Sequence, residues 1–264
     1  MFFGFLALKA ALAGGIVLCM SLLAERVSPR VAGIVSGAPL GALISYYMLG
    51  LEQGVPFVVD SIAHAIVGMS GVLVFISVYY AVSARARRFS VFVSTFTAIL
   101  AYLVFALAFR DVGFTIPAAL ALTVSIALSV GFALRRALDV RVSTPVRMTL
   151  GLLTLRAGMA AVLVIGVVSL AKTLGPAWAG LLMGFPMTLG PTILIVHTTY
   201  SAAHVHAMLR GFPIGIGSVL CYLVSLPWSF LNLGVHLGTL VSLAFALSYL
   251  AALSLLFYWL RRRR

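Results

Sequence analysis

The chain of 264 residues is 63% hydrophobic and only 9% charged, yet its formal net charge is +13. Water-soluble domains run at about 45–50% apolar and about 25% charged, so this balance excludes a soluble fold. The positive surplus raises nucleic acid as a partner, but the basic residues are confined almost entirely to the gaps between apolar runs, which excludes that reading as well.

Nine such runs follow one another, each near the ~20 residues that cross a ~30 Å hydrocarbon core. They lie at about 3–23, 30–50, 57–82, 89–109, 114–134, 149–171, 176–198, 204–227 and 237–260. With no water in that core the backbone must satisfy itself, and the runs lack the alternation of a barrel strand, so they read as helices. The expected fold class is all-α, a polytopic membrane protein of about nine transmembrane helices.

Span 1 holds Lys9 and Cys19 and runs on into "AERVSPR" without a small-residue cleavage site, which argues against a cleaved signal peptide. Span 2 carries Gly37 and Pro39 near its middle, and "GLEQG" (50–54) follows it as a turn with Glu52. Span 3 carries His64. Spans 4 and 5 carry no motif. Span 6 buries Arg156 in "LTLRAGMAA", span 7 reads "MGFPMTLGP" (183–191), and span 8 holds His206 and Cys221. Both cysteines sit in apolar runs and read as small core residues. Tyr46, Tyr47, Tyr79, Tyr80, Trp178, Trp228, Tyr258 and Trp259 gather near span ends, the pattern of interfacial anchors.

The loop charges set an orientation. Arg26, Arg30, Arg85, Arg87, Arg88, Arg135, Arg136, Arg141, Arg147, Arg210 and Arg261 to Arg264 fall on one side, and only Arg110 and Lys172 on the other. By the positive-inside bias the N-terminus is outside and the C-terminus cytoplasmic, in a cell (inner) membrane, with the arginines meeting anionic lipid.

Sliding the sequence by 147 residues aligns 6–39 with 153–186 without a gap. The specific part is P-x3-G-x3-G-x-P: Pro29, Gly33, Gly37, Pro39 against Pro176, Gly180, Gly184, Pro186. The copies fall in spans 2 and 7, an odd number of crossings apart, so they point in opposite directions. That defines an inverted repeat, spans 1–4 against spans 6–9. The domains expected are 1–110 for the first repeat, 111–148 for the unpaired fifth span and cytoplasmic loop, and 149–264 for the second repeat with its basic end. A match of His64 with His206 extends the repeat into spans 3 and 8.

Proline inside a helix removes a backbone bond, and the glycine before it loosens the same turn. Such breaks are tolerated in protein interiors or beside water-filled cavities, and half-helices meeting there present N–H ends to anions. Gly37, Pro39, Gly184 and Pro186, with Thr188 and Gly190 just after, are therefore the candidate substrate-binding breaks. The competing reading is close helix packing through Gly-x3-Gly.

Lys9 and Arg156 complete the candidate site. Each sits about five to seven residues into its span, roughly 10 Å below its own surface at the helical rise. The bland alternative is snorkelling to the headgroups. The acids Glu25, Glu52, Asp60, Asp111 and Asp139 all lie at span ends or in loops, so no carboxylate within a span neutralises either cation. An anionic substrate would supply the counter-charge.

His197, His204 and His206 cluster near one membrane face, without the cysteine or carboxylate that a metal site would add. No metal or cofactor is expected. His64 and His206 stand as proton-linked candidates, since imidazole titrates near neutral pH. No catalytic or nucleotide motif is present, so an enzyme is not expected.

"AGIVSGAPLGALISYYMLGLEQG" (32–54) resembles the pattern of GlpM-like small integral membrane proteins, with a Tyr-bearing helix end and a G-x-E-x-G turn. Where that pattern has Phe before proline this chain has Ala38 in the first copy and Phe185 in the second. The resemblance implies a duplicated half-length unit and names no substrate.

Three functions fit. The first is a transporter of a small anionic or organic-acid solute through a site at the repeat interface. The second is a polyprenyl-phosphate or lipid flippase whose cations meet a headgroup. The third is a non-transporting membrane scaffold of an envelope assembly. Expected partners are a small anion or lipid headgroup, membrane lipids and a second copy of the chain, with no nucleic acid.

Overall fold

A computed structural model of the chain describes residues 39–86, 90–135, 150–187 and 189–262. Lys9, Gly37 and Thr188 lie outside the described residues, as does Cys19. The backbone at Arg156 is described, its side chain is not.

The described chain is helical, with seven helices and no strand among those residues. They are α1 (Leu40–Gln53), α2 (Val55–Ser83), α3 (Ser90–Phe109), α4 (Ile116–Leu134), α5 (Leu150–Met183), α6 (Leu189–Thr199) and α7 (Ala202–Arg262). Four are long and apolar enough to cross a membrane: α2, α3, α4 and the Ala202–Trp259 stretch of α7.

Glycine decides where the chain reverses. Gly54, between α1 and α2, has φ 85° and ψ 168°, a region closed to most side chains. The limbs on either side then run antiparallel, with Ser61 against Tyr46. The same conformation recurs inside α5 at Gly175 (φ 82°, ψ 174°) and inside α7 at Gly234 (φ 71°, ψ 178°). At Gly234 the long helix folds back on itself. Ser218 Oγ donates to the Ala246 carbonyl at 3.0 Å and the Tyr249 hydroxyl to the Ile214 carbonyl at 2.9 Å. Each limb of α7 exceeds the ~20 residues a crossing needs.

α2 forms the centre of the bundle and packs against α1, α3, α4, α5 and α7. Its most apolar window is 67% buried, whereas those of α3 and α4 are only 22% and 17% buried. α2 therefore reads as a core helix, while α3 and α4 turn Phe92, Phe96, Leu103, Leu107, Leu128 and Phe132 outward, as lipid-facing helices do. Small residues let the neighbours approach. Gly71 sits under the Tyr102 ring, and Gly68 meets the backbone at Leu181 in α5 and at Gly184 just past its end. Across the α2–α4 contact, Thr123 Oγ1 donates to the Ile66 carbonyl at 2.8 Å and lies 2.9 Å from Ser70 Oγ.

The anchor reading of the aromatics divides. Trp228, Tyr258 and Trp259 are exposed, as anchors should be. Tyr46 and Tyr79 are wholly buried, so they are core residues. The Tyr79 hydroxyl lies 2.6 Å from His197 Nδ1, a bond that makes its burial tolerable, whereas Tyr46 meets Ser61 Oγ only at 3.4 Å.

Candidate functional site

Around the second proline the helix comes apart. α5 ends at Met183 and α6 starts at Leu189. Between them the Phe185 N–H turns back to the Leu182 carbonyl (2.9 Å) and Met187 N–H to the Phe185 carbonyl (2.6 Å), in place of the helical ladder. The Leu181 carbonyl would have accepted from Phe185. It now accepts from Gly184 N–H at 3.0 Å and from the buried Tyr102 hydroxyl at 2.5 Å. A carbonyl freed in a membrane interior has thus found a side-chain donor. Gly190 N–H bonds the Pro186 carbonyl at 2.8 Å and restarts the helix.

Tyr102→Phe removes that donor while leaving Gly184 N–H in place. The expected loss is about 1 kcal/mol of stability, the usual net worth of one internal hydrogen bond, read as a lower unfolding temperature in detergent. An unchanged melting temperature would mean that the bond contributes nothing to the break.

Gly180 and Gly184 hold this segment against α2. A Cβ at Gly180 would stand 2.2 Å from the Ser61 carbonyl oxygen, and one at Gly184 2.5 Å from the Gly68 carbonyl carbon. The contacts also fix direction, because Gly180 lies by Ser61 and Ala65 and Gly184 by Gly68. The end of α5 therefore runs parallel to α2 and antiparallel to α1. The small-residue packing weighed against a discontinuous helix is present together with the break.

Pro39 caps α1 from outside the helix, and its carbonyl accepts from Leu43 N–H at 2.6 Å. Pro39 and Pro186 face one cavity of about 50 Å³, together with Ala42, Met69, Met183, Gly184, Phe185 and Val219 among others. Its position on α2 is near Met69, roughly 20 Å along the helix from Gly54 at the helical rise, deep within the apolar length. The lining is almost wholly apolar. Among the described residues the fully buried polar side chains are Ser, Thr and Tyr.

The histidines divide between the two ends of α2. His206 Nε2 lies 2.8 Å from Ser83 Oγ, with its ring 4.5 Å from that of Tyr80. His197 Nδ1 lies 2.6 Å from the Tyr79 hydroxyl, and His204 Nδ1 2.8 Å from Ser201 Oγ. His197 and His206 tie α6 and the start of α7 to the end of α2, whereas the His204 bond is local. His64 sits nearer the Gly54 end, edge-on to Phe114 at 6.2 Å, and both its ring nitrogens are buried without a hydrogen-bond partner. His64 and His206 are therefore not brought together. No group of three His, Cys, Asp or Glu residues among those described could hold a metal ion.

Sequence reasoning missed the buried tyrosines Tyr46, Tyr102 and Tyr222 as site neighbours. Tyr102 and Tyr222 lie mid-run, where composition alone makes tyrosine one more apolar ring. The signal available was their hydroxyl, which must be bonded or unpaired at that depth.

These features define a helical membrane protein with a broken helix against its central one. Neither family models, curated proteins nor solved structures yield a match to the chain.

Proposed function

We propose that the chain is a multi-pass inner-membrane transporter of a small anionic or organic-acid solute. Nine spans, with the N-terminus outside, would form two inverted repeats, 1–110 and 149–264, around an unpaired fifth span. One observation carries the reading. Pro39 and Pro186, which stand at the same register of the sequence repeat, face a single cavity from segments that run in opposite directions. Inverted repeats whose discontinuous helices meet near mid-membrane are how secondary carriers build a site that opens to either side in turn. The resemblance to GlpM-like proteins supports the idea of a duplicated half. Lys9 and Arg156 would draw the anion towards the cavity from opposite faces, and His64, with its unpartnered imidazole, is the proton-linked candidate.

Reconstituted protein should equilibrate a labelled small organic acid across liposomes, and protein-free liposomes should not. Ala42→Leu adds three carbons to a cavity that holds only a few atoms. It should stop the flux while leaving the helical content intact. Wild-type flux in Ala42→Leu would take the cavity off the route, and the absence of flux for any anion would remove the transporter reading.

A further inference from the structure

The central helix α2 packs against every other described helix but not against α6. The two nonetheless run side by side. Gly180 lies by Ser61, Gly184 by Gly68 and His197 by Tyr79, so α6 continues along α2 in the direction set by the end of α5. Its first residue, Leu189, lines the cavity together with Pro186 and Met187. Its last turn reaches α2 through a side-chain bond, His197 Nδ1 to the Tyr79 hydroxyl at 2.6 Å. With 11 residues α6 is a lever about 16 Å long at the helical rise. The break at Gly184–Pro186 is its pivot, since the helical ladder is interrupted there. There is also room to turn, because nothing lies within 4 Å of a carbon added at Gly190.

The far end of the lever is held by a titratable group. In a neutral imidazole one nitrogen donates and the other accepts, whereas in the charged ring both donate. A second proton on His197 leaves it unable to accept from Tyr79, and leaves a positive ring with no acid to meet. Glu52, Asp60 and Asp111 all lie at the opposite end of α2, near Gly54 or beyond the end of α3. The helices packed on α6 add no acid. α3 has no charged residue, and α5 and α7 carry only cations and histidines. At the Tyr79 end stand Arg85, bonded to the Ala81 carbonyl, and Arg210, one turn beyond His206. His206 lies 2.8 Å from Ser83 Oγ with its ring 4.5 Å from that of Tyr80, and it senses the charge of His197. His204 is engaged locally with Ser201.

We infer that α6 is a hinged gate, pivoting at Gly184–Pro186 and latched by His197 on Tyr79, and that protonation of His197 releases it and opens the apolar cavity towards the Ser83 end of α2. Protonated histidines are a recurrent trigger for repacking an interface. The closed form is favoured where imidazole is neutral and is lost as pH falls through the imidazole range, between about 8 and 5. This rests on the transporter reading for its purpose, because it names what opens the site, but the gate itself is measured without flux.

The experiment uses the full chain with Cys19 and Cys221 replaced by serine. Spin labels are placed at Thr198→Cys on α6 and Phe92→Cys on α3, both outward-facing. The distance between them is read at about pH 8 and about pH 5. In the otherwise wild-type protein it should shift by ~5 Å or more, the size of known one-turn displacements between packed elements, with helical content unchanged. His197→Asn keeps an acceptor but gains no proton, so its distance should be the same at both pH values. Tyr79→Phe should show the acid distance already at the higher pH. His236→Gln is the control, because that ring is exposed beside Tyr47 at the other end of the bundle and should leave the shift intact. A distance that ignores pH, a shift that persists in His197→Asn, or a shift lost in His236→Gln would overturn the gate. So would Tyr79→Phe holding the wild-type distance at the higher pH; if that variant does not fold, His197→Asn decides alone. An acid shift that depends on His197, with no organic-acid flux, would keep the gate and remove the transporter reading. Flux through a protein whose distance is fixed across pH would do the reverse.

Discussion

Arg156→Glu should abolish anion flux, Arg156→Met should leave a small residue of it, and Arg156→Lys should retain most. The order follows from charge at one place. Arg156 lies six residues after the start of α5, inside an apolar run. Removing a buried charge that meets its partner costs about 2–5 kcal/mol, roughly 30-fold or more in affinity. Reversing its sign adds repulsion to that loss. On the transporter reading, in which no protein carboxylate neutralises the cation, the stability of the empty protein should move the other way in Arg156→Met, staying level or rising, because the cation's desolvation cost is gone. Liposome flux and thermal unfolding of the same preparations read the two signs. If Arg156→Glu transports at the wild-type rate, the arginine meets headgroups and the anion reading falls.

The largest loss of stability should come from Gly180→Val and Gly184→Val. Even the first added carbon at either place collides with α2 backbone, which cannot swing aside as a side chain would. Overpacking a close-packed interior costs about 1–3 kcal/mol where side chains give way, and more where backbone must move. Both variants should therefore melt far below the wild type or fail to assemble. Gly190→Ala is the control. Nothing lies within 4 Å of its added carbon, and it sits at the start of α6, so it should be neutral or slightly stabilising. A Gly184→Val protein as stable as the wild type would disprove the close crossing of α5 over α2.

Much of the helical plan is legible in the sequence because membrane spans are written in composition. The apolar runs at 57–82, 89–109 and 114–134 lie within a few residues of α2, α3 and α4. The break at Gly184–Pro186 is legible too, since proline after glycine weakens a helix locally, whatever surrounds it. Depth within the bundle is not. All the runs are apolar, so hydropathy does not tell α2, the core helix, from α3 at its surface. Tyr46 and Tyr79 show the consequence: a tyrosine near a span end has the same sequence signature whether it faces headgroups or a partner inside. The fold-back at Gly234 is marked by a short less apolar gap, whereas the pairing of Ser218 with Ala246 across it depends on three-dimensional register.

The three glycine turns bear on how such a chain is made. Gly54, Gly175 and Gly234 each redirect the backbone with a single residue at positive φ, and Pro56 and Pro176 follow two of them closely. A ribosome feeding this chain to the insertion machinery would have almost no hydrophilic segment to push through at those points. Two apolar limbs joined by one glycine can partition sideways into lipid as a unit. Lengthening any of these turns with a polar stretch would therefore burden biogenesis before it touched the mature bundle.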